Sequence, residues 1–196
     1  MNPYETVRQF EKMIAEYTGS PYAVALDTCT IALFLCCKYL NVEEVTIPSK
    51  TYVSVPCSII HAGGRVAFTD KAWKGTYRLE PYPIVDAACR FRRNMYEAGT
   101  HCCLSFQYRK HLPIGRGGMV LTDDIKAVEW LKLARFSGRH EVPLTEDVPV
   151  IIGWQCYMEP ERAAKGMTLM LHMKDDNPDL EFEYPDLSKF SIYGAK

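Results

Sequence analysis

No apolar run in these 196 residues approaches the ~20 residues that a helix needs to cross a bilayer. Nor does charge of either sign dominate: 23 basic and 24 acidic residues leave a formal net charge of −1. A large basic field is therefore missing, which argues against nucleic acid as a partner. The opening stretch MNPYETVRQFEKMIAEYTG is charged and amphipathic and lacks the apolar segment of a secretion signal. None of the eight cysteines (Cys29, Cys36, Cys37, Cys57, Cys89, Cys102, Cys103, Cys156) forms a C-x-x-C pair, and no metal-ligand spacing is present. Most sit inside apolar segments such as IALFLCCKYL and HCCLSF, where free thiols pack as small hydrophobes. With 47% hydrophobic residues the chain has material for one sizeable core without a disulfide framework, and a reducing cytoplasm is the expected setting. There is no internal repeat and no low-complexity tract.

What is present is alternation. Val7, Phe10, Ile14 and Tyr17 recur at helical spacing over residues 4–18, and Gly19 stops that helix. YAVAL (22–26) reads as a buried strand, followed by a helix at 29–40 that Thr28 can cap. A strand at 45–48, a helix over 51–63 and a strand at 65–70 continue the pattern. Residues 71–82 read as a connection. PIVDAA, HCCLSF and GMVLTDD read as three further strands. DDIKAVEWLKLARFSG and PERAAKGMTLMLHM read as two last helices, the methionines of the second serving a core or an interface. Such alternation predicts an α/β fold of three layers, α-β-α, around a mostly parallel sheet. Residues 1–173 are expected to form that unit. Residues 174–196 form a polar tail with scattered aromatics, draped over a surface.

In a sheet of this kind ligands bind at the carboxyl ends of the strands. Thr28, Cys29 and Thr30 open a helix at one such end, where free amides and the helix dipole suit a phosphate. Taken alone, Thr28 is more simply a helix cap. Asp86 ends a strand after three apolar residues, so it is desolvated unless a cation meets it. Alone, it is more commonly a structural cap or turn aspartate. Ser105 and Lys110 follow the next strand, in SFQYRKHLPIGRGGMVLTDD. Lys110 precedes Gly115, Gly117 and Gly118 and no Ser or Thr follows it, which disfavours a nucleotide phosphate loop. A lysine bonded covalently to a carbonyl and a solvated loop charge both remain open. Arg90, Arg92 and Arg93 are split evenly between an anion site and a solvated loop. Arg135, Arg139 and His140, after a helix, are split in the same way, with surface charges as the plain reading.

The combination is more specific than its parts. A phosphate-type helix start, an aspartate at a strand end, and a serine and lysine at another follow the chain order of fold-type I pyridoxal phosphate enzymes. The chain resembles a shortened DegT/StrS-type aminotransferase, over residues from about 8 to about 170. ALDTCTIAL is similar to that family's SGTAAL turn, VTIPSKTYVS to VIVPSFTFVA, VDAACRF to EDAAQ, and LSFQYRKHLPIGRGGMVLTDD to FSFFPTKNLTTGEGGMVVTND. GWQCYMEPERAAKGM is similar to GYNYRMSELQAAIGL.

The resemblance implies a set of roles. Thr28, Cys29, Thr30 and Ser105 contact the phosphate of pyridoxal 5'-phosphate. Tyr52 stacks on its ring, Asp86 holds the ring nitrogen, Cys89 lies near the ring hydroxyl, and Lys110 forms the Schiff base. Gln155 reaches a neighbouring subunit's cofactor across a homodimer. No metal is implied. A subgroup of the family replaces the lysine with histidine and dehydrates; the lysine is kept here, which favours transamination. The implied reaction moves an amino group, from glutamate, to a keto sugar, typically nucleotide-linked. Cys29, Cys89, Arg116 and Tyr157 depart from the family's glycine, glutamine, glutamate and arginine. The C-terminal small domain of the family is not recognisable in the chain. Two alternatives follow: a cofactor-binding remnant that completes a larger assembly, or another pyridoxal phosphate reaction such as elimination.

Overall fold

The computed structural model describes residues 2–194; Met1, Ala195 and Lys196, at the outer ends of the expected unit and tail, lie outside the described residues. Helix α1 (Glu5–Thr18) buries Val7, Phe10, Ile14 and Tyr17, the stripe that the spacing marks, and ends at Gly19 in a left-handed conformation with φ 75°. Strand β1 (Tyr22–Leu26) leads to α2 (Cys29–Tyr39), β2 (Glu44–Pro48), α3 (Ser54–His61) and β3 (Arg65–Thr69). Then come β4 (Tyr77–Leu79), β5 (Ile84–Asp86), β6 (His101–Ser105), β7 (Gly118–Thr122), α4 (Ile125–Ala134) and α5 (Pro160–Met170).

Two expectations need correction. The helix expected from residue 51 starts at Ser54, which leaves Ser49–Val53 as a loop at the end of β2 and puts Pro56 in the first turn, where its missing N–H costs nothing. The expected connection at 71–82 contains strand β4. Its buried–half-buried–buried pattern is only three residues long and is flanked by Gly75 and Pro81, too brief for a period to register.

The sheet has the order β1-β7-β6-β5-β4, and the β2-β3 pair joins it through mutual backbone hydrogen bonds between Thr46 and Glu80. Following each pairing, β1, β2, β3, β5 and β6 point one way, while β4 and β7 run against them. The sheet is thus mixed, with the majority direction expected of parallel crossovers. Alternate residues of each strand face opposite layers. Val24, Leu26, Cys103 and Val120 pack with α2, α3 and α4, and Ala23, Ala25, Leu104, Met119 and Leu121 pack with α1 and α5. Met167, Met170 and Met173 are half-buried against the second cluster. All eight thiols are unpaired; seven are buried, several within these clusters. No helix among the described residues is long and apolar enough to cross a membrane.

Arg135 is a third correction. It is fully buried rather than a surface charge. Its guanidinium donates to Glu11 Oε1 (2.5 Å), to Glu141 Oε1 (2.7 Å) and to the Ala25 carbonyl (2.7 Å), while Glu11 also accepts from the Ala25 amide. Burial alone pushes its pKa down, but the two glutamates more than offset this, so it is held above its ordinary value. The network locks α1, β1 and the end of α4 together. Truncating one member leaves an uncompensated buried charge. Arg135→Ala is expected to lower unfolding stability by ~3–5 kcal/mol in urea denaturation, against less than 1 kcal/mol for the exposed Lys12→Ala.

Candidate active site

The five co-directional strands and the starts of β4 and β7 meet at one edge of the sheet. There β1 delivers Thr28, whose Oγ1 accepts from the Ile31 amide (3.1 Å) and opens α2. The Cys29 and Thr30 amides of that first turn have no acceptor within the helix. Gly118, at the start of β7, lies directly against the Thr28 carbonyl and Cys29 amide, where a Cβ would collide with the backbone. Cys29 directs its sulfur into the core, 3.6 Å from the Cys103 carbonyl, so its own Cβ is accommodated. Thr30 Oγ1 shares a 2.7 Å hydrogen bond with Ser54 Oγ, and Ser58 Oγ donates to the Thr30 carbonyl, which ties α2 to α3.

Asp86, the last residue of β5, is buried. Its Oδ1 accepts from the Ala88 amide (2.9 Å) and its Oδ2 from the Tyr77 hydroxyl (2.8 Å). Burial pushes its pKa above the usual carboxylate value, against these two hydrogen bonds and the charge of Lys110. Lys110 sits in the turn after β6, where its amide donates to the Gln107 carbonyl. Its Nζ lies 3.9 Å from Cys89 Sγ and 4.5 Å above the Phe182 ring.

Phe182 belongs to the tail, which roofs the site. Acidic residues of the tail pair with the basic loop that follows β5: Arg93 with Asp175 (2.7 Å), Arg92 with Asp176 (3.9 Å) and Arg90 with Asp179 through two hydrogen bonds (2.8 and 2.6 Å). Lys74 pairs with Glu181 (2.7 Å), the Leu180 amide donates to the Cys89 carbonyl, and His111 Nε2 meets the Pro178 carbonyl. The three arginines therefore hold the tail rather than stand free in a solvated loop. Tyr184 reaches in until its hydroxyl is 3.8 Å from Cys89 Sγ, with its ring stacked on Trp73 and edge-on to Tyr52. The strap parts two neighbouring cavities of about 750 and 860 Å³, both lined by Trp73 and residues 181–184.

Of the residues marked from sequence, Thr28, Cys29, Thr30, Tyr52, Asp86, Cys89, Ser105 and Lys110 line the 750 Å³ cavity together. Gln155 does not; it is exposed and accepts from Ser137 Oγ (2.7 Å). Arg116 lines the cavity and pairs with Asp27, while Tyr157 packs edge-on against Tyr4. Sequence reasoning missed Thr51, Trp73 and Tyr77, which border this edge, and the strap's Phe182 and Tyr184. The acidic run KDDNPDLEFEYPD facing the basic CRFRR was the available signal for the strap.

The donor set fits pyridoxal phosphate. First-turn amides of α2 and the hydroxyl of Ser105 suit a phosphate dianion. A buried carboxylate with unused lone pairs suits a protonated ring nitrogen, and a lysine amine suits an aldehyde. Among the described residues no cluster suits a metal ion.

The sequence model described as the DegT/DnrJ/EryC1/StrS aminotransferase family matches residues 1–95. Spore coat polysaccharide biosynthesis protein SpsC of Bacillus subtilis is 26% identical, across 67% of this chain and 46% of that protein. A DegT DnrJ EryC1 StrS aminotransferase from Brucella abortus superposes with a TM-score of 0.74 at 21% identity, over 87% of this chain and 59% of that one. 3-Amino-5-hydroxybenzoic acid synthase superposes with a TM-score of 0.73 at 17% identity, over 86% of this chain and 56% of that one. The fold is that of the fold-type I transferases. The chain spans about half the length of the curated relatives that it matches.

The strap's anchor is Asp179, because the other pairs are largely exposed and worth little. Arg90 holds the Asp179 carboxyl below its ordinary value, so the anchor is complete above about pH 4 and is lost as pH falls through the lowered value. At neutral pH, Asp179→Asn is expected to speed modification of Lys110 by an amine-reactive reagent several-fold, read by peptide mapping. Asp176→Asn is expected to leave the rate unchanged.

Proposed function

We propose that this chain, whose first half matches the DegT/DnrJ/EryC1/StrS aminotransferases, binds pyridoxal 5'-phosphate and transfers an amino group from glutamate to a keto sugar, nucleotide-linked as the resemblance implies. The observation that carries this reading is the convergence of Asp86, Lys110, Ser105 and the start of α2 on one cavity. A homodimer, in which Gln155 serves the neighbouring site, and a cytoplasmic location belong to the same reading.

When bound, the cofactor supplies an electron sink for the carbon next to the amine. The chain's residues provide the rest. Thr28, Cys29, Thr30 and Ser105 bind the phosphate with amides and hydroxyls. Asp86, as an anion, keeps the ring nitrogen protonated. Tyr52 supplies an aromatic face, and Cys89 flanks the ring hydroxyl. Lys110 Nζ anchors the aldehyde carbon. With the donor's amine in that place, the freed Lys110 amine would be the base that holds and moves the proton of the donor's α-carbon. Phe182 and Tyr184 shield that amine from water.

A second reading, binding without turnover, draws on the strap held over Lys110. One experiment separates the two. Protein loaded with the cofactor and mixed with glutamate is expected to release one equivalent of 2-oxoglutarate, and Lys110→Ala to slow this by about 10²–10⁴-fold. Cofactor binding without release of a keto acid from any amino donor would favour the second reading.

A further inference from the structure

Tyr77 belongs to no motif in the sequence and does not line the cavity. It stands on β4 directly opposite Asp86 in the antiparallel register, so the two side chains rise on the same face of the sheet. Its hydroxyl donates to Asp86 Oδ2 (2.8 Å) and shares a 2.6 Å hydrogen bond with Thr51 Oγ1. Because the phenol proton goes to the carboxylate, Thr51 donates to Tyr77. The order is Thr51 to Tyr77 to Asp86, and all three residues are buried. Trp73 packs on the tyrosine ring with centroids 4.7 Å apart and fixes its direction. Thr51 is the chain neighbour of Tyr52, so the relay also links the loop bearing the aromatic face to the carboxylate.

We propose that Tyr77, supported by Thr51, is a positioning residue that holds Asp86 as an anion facing the cavity. What Asp86 acts on there rests on the pyridoxal phosphate reading above. The argument is one of opposing effects. Burial favours the neutral acid, and a neutral acid cannot keep a ring nitrogen protonated. The Ala88 amide, the Tyr77 hydroxyl and the Lys110 charge favour the anion. The other titratable groups around Asp86 are Cys29 from α2, Cys102 from β6, Cys89 and the strap's Tyr184. Burial raises each of their pKa values, so they stay neutral near pH 7 and donate no charge. Tyr77 is thus the only side chain that hydrogen-bonds the carboxylate among the described residues. A hydrogen bond to an ionised group is about twice as strong as a neutral one.

The test uses cofactor-free protein. Infrared difference spectra against Asp86→Asn isolate the band of the protonated Asp86 carboxyl, which is followed with pH. Tyr77→Phe keeps the ring and its Trp73 contact, and is expected to raise the midpoint by about one unit, a tenfold gain in proton affinity. Thr51→Val is expected to move it less in the same direction, and Thr51→Ser to restore it. A purely structural role would lower the melting temperature without moving the midpoint. An unchanged midpoint in Tyr77→Phe overturns the inference. If that variant does not fold, an unchanged midpoint in Thr51→Val overturns it. Wild-type protein that fails to bind pyridoxal phosphate overturns the reading of the previous subsection and leaves this titration standing.

Discussion

A buried carboxylate, Asp86, sets the terms for the rest of the site. A charge at the end of a buried strand is costly unless hydrogen bonds and a cation meet it. The fold meets it from three directions: an amide two residues on, a hydroxyl from the neighbouring strand, and the lysine that follows the next strand. The last two partners depend on different pairings in the sheet. The antiparallel β4–β5 register supplies Tyr77, and the parallel β5–β6 register brings the end of β6 beside the end of β5.

The mixed directions of the sheet give it this reach. Five strands end at the site's edge, and the two opposed strands begin there. β4 contributes a tyrosine at its start, and β7 contributes Gly118, which lets α2 begin close against the sheet. Across the sheet, the Arg135 network fixes β1 to α1 and α4 and so fixes where the phosphate-type turn is presented.

Much of this was legible in the residues. The Val7–Phe10–Ile14–Tyr17 stripe, the YAVAL strand and the Thr28 cap follow from periodicity and capping chemistry, and the structure has them as read. Eight of the nine residues marked for the site share one cavity because their motifs sit at strand ends, where the topology gathers them. What escaped is either too short to show a period or depends on long-range contacts. β4 is too short for a period, and its partner lies across a turn. Arg135 follows a helix in a charged stretch that looks solvated, and only the fold brings Glu11 to it from 124 residues away. The strap is built from tail acids and loop arginines that face each other only once the sheet has formed.

Aromatic side chains from residues 182–184 stand over Lys110 and Cys89, so the cavity has a wall made from its own tail. The central claim is that Lys110 is the covalent anchor. The most direct measurement is borohydride reduction of protein incubated with pyridoxal phosphate, followed by peptide mass mapping. The account predicts one stable adduct per chain, on Lys110, absent from Lys110→Ala. An unmodified Lys110 peptide, with adducts scattered over exposed lysines such as Lys12 and Lys132, would contradict it.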